Sequence, residues 1–367
     1  MLNDRNAFSR RTLLTSASSL AALAAAEKLF PSRAFAISAQ GATSGAAPLL
    51  DKGFAAVHRL ADGVYATIAD GSKGLQAVSN GGFVVGRDAA FIIEGHMHPA
   101  GAALELEALR SLTQAPVRGA LNTHYHFDHT FGNAFYGAQG IPIWAHARTA
   151  TLMTERYAAL QGKDNSGMIA PIEKRIASAK DETTRQRAQG DLNAFRWFVS
   201  SVEGTVLALP NHPLDPTKLP MKLDLGGISV LLEAREGHSP TDIIARVPER
   251  NITFAGDLVF NGSYPVTFDA DMTAWHKVMR TLAGFDKSER FVPGHGAICG
   301  QDWIAQQTAI MDDIAAQAEK LFRAGVPAKE AKQRYVVPEK FKSLNMFSWF
   351  FCIENAIADH YKSLARR

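Results

Sequence analysis

The stretch from 122 to 130, Asn-Thr-His-Tyr-His-Phe-Asp-His-Thr, sets a condition that few folds can meet. Its three imidazoles and one carboxylate fall within six positions, His124 to His129, in a chain with twelve histidines. Such groups are costly to bury unless something binds them. Read as a strand end running into a loop, the stretch puts His124 and His126 on one face, because side chains two apart share a side of a strand. That pair can grip one metal ion. Asp128 and His129 come as the chain turns toward a helix that Thr130 is expected to cap, and can point to a second position nearby. Imidazole with carboxylate suits zinc, and also iron or manganese. Four side chains cannot complete two sites, so the fold must carry further donors to this stretch.

Three places supply candidates. Gly237-His238-Ser-Pro-Thr-Asp242 follows an apolar strand pattern, Phe254-Ala-Gly-Asp257 ends another, and Pro293-Gly-His295-Gly296 follows Arg290-Phe-Val292. Each sets a histidine or acid beside glycine where a strand gives way to a loop, the usual place for functional side chains on a rigid scaffold. Short apolar runs at 64–68, 82–85 and 89–93 read as strands, followed by a helix over 102–112 and strands at 119–122 and 141–145. From about Arg148 to Glu203 the pattern is helical and polar, broken at 162–167 and near Gly190. Strands resume at 221–232, 242–247 and 252–255, with helices near 272–282, 303–322 and 347–364. Two β-then-α batches flanking a helical insertion predict an αββα sandwich, sheet on sheet with helices outside.

These motifs resemble the metallo-β-lactamase-fold hydrolase superfamily, with all five of its metal motifs in order between about Gly63 and Ala297. The resemblance implies one metal on His124, His126 and His238, and a second on Asp128, His129 and His295. Asp257 stands where the glyoxalase II-like members carry a bridging aspartate; class B1 β-lactamases have cysteine there. Glu94, in Ile93-Glu94-Gly95, stands where most members have aspartate, and the insertion after Arg148 has no counterpart in the compact β-lactamases. The expected function is therefore that of a binuclear zinc hydrolase, using a metal-bridging hydroxide to cleave an ester, thioester, lactone or amide. Asp128 is the expected catalytic residue, orienting the nucleophile and passing a proton. Asp242, Thr123 and Asn122 are candidates for holding the imidazoles in the right tautomer. Tyr264 is a candidate oxyanion donor, and His96, in the second H-x-H at 96–98, is expected at the pocket rim. The alternatives are β-lactam hydrolysis, an iron-dependent oxidoreductase of sulfur compounds, and a non-catalytic metal-binding partner protein.

The ends of the chain add location. Ser9-Arg10-Arg11, a modest apolar run to Ala26 and Ala34-Phe35-Ala36 describe a twin-arginine export signal over 1–36, followed by a linker at 37–50. The expected domain spans 51–300, with the insertion at about 148–203 and a C-terminal helical segment at 301–367. The expected partners are the twin-arginine export machinery and a small-molecule substrate, and the expected destination is the periplasm. The apolar run is too short to serve as a stable membrane anchor. Changing Arg10 and Arg11 to lysine should hold the precursor in the cytoplasm, read by fractionation; unchanged export would refute the signal. A net charge of +3, with its lysines and arginines scattered, argues against nucleic acid as a partner. Cys299 and Cys352 are the only cysteines and read as isolated core thiols.

Overall fold

In the computed structural model, residues 47–73, 77–203 and 205–366 are described. The expected export signal, with Arg10 and Arg11, and the linker as far as residue 46 lie outside them. The first sheet has eight strands in sequential order: β1 (Leu50–Asp51), β2 (Ala55–Ala61), β3 (Val64–Ala69), β4 (Gly81–Val85), β5 (Ala90–Ile93), β6 (Val117–Leu121), β7 (Ile143–His146) and β8 (His212–Leu214). Pairing is antiparallel from β1 to β5 and parallel from β5 to β8. The second sheet comprises β9 (Met221–Asp224), β10 (Ser229–Ala234), β11 (Ile243–Val247), β12 (Ile252–Phe260) and β13 (Arg290–His295), with only the β12–β13 pair parallel.

Alternation along the strands builds the layers. Phe91 and Ile93 of β5 and Leu121 of β6 face Ile243, Ala245 and Val247 of β11 and Phe254 of β12, forming the core between the sheets. The intervening Ala90 and Ile92 turn outward against Ala102, Ala108 and Leu109 of helix α1 (Pro99–Leu112). On the other outer face, Ile244 and Phe291 pack against α6 (Met272–Ala283), α7 (Gln301–Arg323) and α8 (Asn355–Leu364). The result is the expected αββα sandwich. Each fully buried Leu, Ile or Phe contributes about 1.5–3 kcal/mol, so the period-two pattern on both sheets also sets their register.

Between β7 and β8 the chain makes its insertion, with α3 (Thr149–Tyr157), α4 (Ala170–Ala177) and α5 (Glu182–Glu203). Several expected boundaries shift. The helix α5 runs straight through Gly190, because the neighbouring Ala188, Asp191 and Leu192 are buried and packing outweighs the local glycine penalty. The 221–232 pattern is two strands around a turn with positive-φ glycines at 226 and 227. Thr130 is not a cap: its hydroxyl donates to the His126 carbonyl at 2.9 Å, closing a 3₁₀ turn (Phe127–His129), and α2 (Asn133–Ala138) begins after Gly132. β12 continues past Ala255 to Phe260, so Asp257 sits inside a strand rather than after one. Both cysteines are free. Among the described residues, no helix is long and apolar enough to cross a membrane.

Candidate metal centre

At one end of the sandwich the C-terminal end of β6 meets the β10–β11 loop, β12 and the end of β13. The backbone N–H of Ile243 donates to the Thr123 carbonyl at 2.8 Å and so stitches the two sheets together beneath the site. From this seam the structure brings together all seven expected donors in two buried or nearly buried groups. One comprises His124, His126, His238 and Asp257, the other Asp128, His129 and His295, with the donor atoms of each group within 4.8 Å of one another. In the first, Nδ1 of His126 lies 3.0 Å from Nε2 of His124 and 3.0 Å from Nε2 of His238. In the second, Oδ2 of Asp128 lies 3.2 Å from Nε2 of His295 and 3.5 Å from Nε2 of His129.

Asp257 faces both groups. Its Oδ2 is 3.4 Å from His238 Nε2, while its Oδ1 is 3.1 Å from His129 Nε2 and 3.4 Å from His295 Nε2. Two glycines allow this approach. A Cβ on Gly294 would fall 1.9 Å from Asp257 Oδ1, and Gly256 takes φ +53° with its Cα against Thr123.

The outer nitrogens are held by acceptors, which directs the inner ones to a common space. Thr123 donates its hydroxyl to Glu94 Oε2 at 2.7 Å and lies 3.1 Å from His124 Nδ1. The same Glu94 oxygen is 2.9 Å from His129 Nδ1, and the Val266 carbonyl is 2.9 Å from His238 Nδ1. Nε2 of His126 is 3.4 Å from Asp269. Glu94 thus serves two imidazoles at once, from a backbone at φ +102° that costs a non-glycine residue of order 1–3 kcal/mol. Asn122 anchors the loop rather than a ring, donating to the His129 carbonyl at 3.0 Å.

Electrostatics divide the groups. Burial, and then the neighbouring imidazoles, hold His124 and His126 well below the ordinary histidine range, and burial lowers His238. Against the same burial, Asp257 and Asp128 raise His129 well above that range and push His295 up to about 9. Asp257, opposed by burial but flanked by His295 and His129, is held well below the usual carboxylate range.

The residues present fit metal ions. Nε2 of His129 and Oδ1 of Asp257 are buried without a hydrogen-bond partner among the described residues, although only 3.1 Å apart. Buried polar atoms without partners are uncommon in native structures, and a cation in the space they face would satisfy both.

Three expected placements change. His96 is fully buried, away from any rim: its Nδ1 is 3.0 Å from the Ser79 carbonyl and its Nε2 3.0 Å from Glu105. The left-handed turn at His96 (φ +55°) rotates the ring inward, while His98 caps α1 by accepting from Ala100 N–H. The ring of Tyr264 lines the cavity above the site, but its hydroxyl is 3.2 Å from that of Tyr335, so it does not serve an oxyanion. Asp242 touches no imidazole. It accepts from the N–H of Gly237 and of Ser239 and from the Ser239 hydroxyl, at 3.0, 2.8 and 2.6 Å, and so fixes the loop that presents His238. Burial pushes its carboxyl up to about 7. Asp242→Ala would remove the shared acceptor, leaving the Ser239 N–H unpaired while the Gly237 N–H keeps the Ser239 carbonyl at 3.3 Å and the Ser239 hydroxyl keeps Thr241 at 3.2 Å, an expected loss of about 1–3 kcal/mol in urea unfolding; an unchanged midpoint would contradict this role.

Sequence patterns gave no sign of Asp269. It lies just before α6, bonds the Tyr125 hydroxyl, and pairs with Arg156 of α3 at 2.8 Å. It belongs to no motif, and only the fold brings it to His126.

A family model described as the metallo-beta-lactamase superfamily matches residues 76–308. Similar solved structures include a metallo-beta-lactamase from Pontibacter korlensis, at TM-score 0.51 and 18% identity, covering 70% of this chain and 99% of that one. Another is a metallo-beta-lactamase from Pseudomonas aeruginosa in its mono-zinc form, at TM-score 0.50 and 18% identity, covering 72% and 97%. At that identity the likeness extends to the fold alone. No curated protein matches the sequence.

Proposed function

The chain belongs to the metallo-beta-lactamase superfamily, and from that premise we propose that it is a binuclear zinc hydrolase of an ester, thioester, lactone or amide, in the manner of the glyoxalase II-like members. The observation that carries this reading is Asp257, whose two oxygens face different donor groups. Imidazole and carboxylate donors without thiolate fit zinc, with iron or manganese as the competing outcomes of a metal analysis.

His124, His126 and His238 would hold one ion, Asp128, His129 and His295 the other, and Asp257 both. When bound, such ions lower the pKa of water toward neutrality and polarise the substrate's acyl oxygen. The chain's own residues supply the rest. Asp128, at the cavity floor, has its carboxyl opposed by burial but held below the usual range by His129 and His295. It is therefore ionised at neutral pH, ready to accept a proton from the attacking water and return it to the leaving group. Ser79 steadies it by donating to the Asp128 carbonyl at 2.7 Å. Thr123 and Glu94 keep His124 and His129 facing inward. The proposed setting is the periplasm, reached through the twin-arginine segment.

The test pairs metal quantification with a panel of ester, thioester, lactone, amide and β-lactam substrates. Turnover by fully demetallated protein, or none by zinc-loaded protein on any of them, would overturn the reading. Proton release gives an independent check. At pH 7 the three imidazoles of the first group are unprotonated and Asp257 is ionised, whereas His129 and His295 carry protons that a metal must displace. Zinc bound at the first group should therefore displace fewer protons from the protein than zinc bound at the second, whose affinity should rise more steeply with pH. Equal release at both steps, followed with an indicator dye, would contradict the division.

A further inference from the structure

The space above the two donor groups is a cavity of about 350 Å³, with His126, Asp128, Asp257 and His295 on its floor. Its walls come from outside the metal motifs. The insertion contributes Tyr157, Trp197 and Phe198, and the stretch before the last helix contributes Phe347 and Phe351. The rings interlock across the gap between these segments. Ring centroids of Phe127 and Trp197 are 4.9 Å apart, those of Trp197 and Phe347 5.6 Å, and those of Phe347 and Phe351 5.7 Å. Such a lining is worth most to a ligand that is itself apolar.

The charge pattern points the same way. Among the described lining residues the one Lys or Arg is Arg156, and it is already engaged: it pairs with Asp269 at 2.8 Å and lies over the Phe268 ring at 5.2 Å. Held among the aromatic walls, away from the donor groups on the floor, an anionic group would be desolvated with no free Lys or Arg among the described lining residues to meet it, a costly placement. An acyl or aryl group that carried a carboxylate, sulfate or phosphate at its far end, among the rings, would face that cost.

We propose that this site takes a neutral carboxylic ester or lactone with an extended apolar acyl or aryl group. That group lies along the continuous aromatic wall formed by Trp197, Phe198, Phe347 and Phe351, and the carbonyl rests on the floor. The proposal rests on the hydrolase reading and adds the substrate class to it. The insertion and the C-terminal segment are then the specificity-determining parts of the chain, and the seven donors are indifferent to chain length.

Two measurements separate this inference from the reading beneath it. In the first, inert neutral ligands, the 1-alkanols from butanol to decanol, are titrated into the purified full-length protein and followed by calorimetry. Affinity should rise about fourfold per added methylene until the cavity is full, and Trp197→Ala should weaken decanol binding at least about tenfold. Phe351→Ala on the opposite wall repeats the test should the tryptophan variant fold poorly. In the second, zinc-loaded protein is given p-nitrophenyl esters from acetate to decanoate, with p-nitrophenyl sulfate, p-nitrophenyl phosphate and a chromogenic cephalosporin as anionic arms. kcat/KM should climb with acyl length and exceed that for every anionic arm. Chain-length-dependent binding with no turnover of any ester, thioester, lactone, amide or β-lactam would support the apolar pocket and overturn the hydrolase reading. Ester cleavage with no dependence on acyl length, or preference for an anionic arm, would overturn the inference and leave the hydrolase reading standing.

Discussion

Asp257→Ala is expected to cut the zinc content of the purified protein from about two equivalents to about one, and to lower kcat/KM for its best ester by roughly 10³ or more, since a Lewis-acid metal supplies several kcal/mol of transition-state stabilisation. The geometry explains why this residue should matter more than any single histidine. Removing one imidazole depletes one group. Removing Asp257 takes an oxygen from each, and leaves His129 and His295 without the carboxylate that lies 3.1 and 3.4 Å away. The first group keeps three imidazoles, enough for one ion with an open position; the second keeps two imidazoles and Asp128. Metal analysis and steady-state kinetics on the same preparation decide the matter. A variant that still binds two equivalents would remove Asp257 from its place between the groups.

Asp128→Asn should act differently. The substitution keeps the shape, and the Asp128 main-chain carbonyl still accepts from Ser79, so circular dichroism and thermal midpoint should hold. Converting the carboxylate to an amide removes the proton acceptor at the cavity floor, and kcat should fall by about 10²–10⁴. The acidic limb of the pH–rate profile should change with it, which a purely structural role would not produce. Activity within tenfold of the parent would exclude Asp128 as the proton carrier. Loss of both metals would instead make it a ligand alone.

The contrast between Asp257 and Asp269 shows what could be read before the fold was known. The ligands cluster in short motifs beside glycines at strand ends, because a donor set needs close backbone approach, and glycine is what allows it at Gly256 and Gly294. The apolar runs were equally legible, since strands buried on both faces, such as β5 and β12, carry few polar residues. What could not be read depends on distant segments meeting. Asp269 reaches His126 across 143 positions and Arg156 across 113. β8, only three residues long, is a strand only because β7 offers it a free edge. His96 misled for the opposite reason. Its place at a strand end pointed to the pocket rim, yet a left-handed turn sends the ring inward, away from the site and toward Glu105. Place in the sequence alone does not report φ.

The insertion leaves from the end of β7 and comes back into β8, its immediate neighbour. Both attachment points are pinned: Ala147 N–H donates to the Leu214 carbonyl and Asn211 N–H to the Ile143 carbonyl, at 2.8 and 3.1 Å. The excursion therefore starts and finishes at one sheet edge, its feet separated by about three residues of strand, roughly 10 Å. Lengthening or replacing what lies between adds little closure entropy, because that cost grows only with the logarithm of loop length. A segment so mounted is a cassette. Exchange or gradual drift of the stretch between Ala147 and Asn211 can reshape the cavity wall while the strands that carry the seven donors keep their places, provided the Arg156 tie to Asp269 beside His126 is kept.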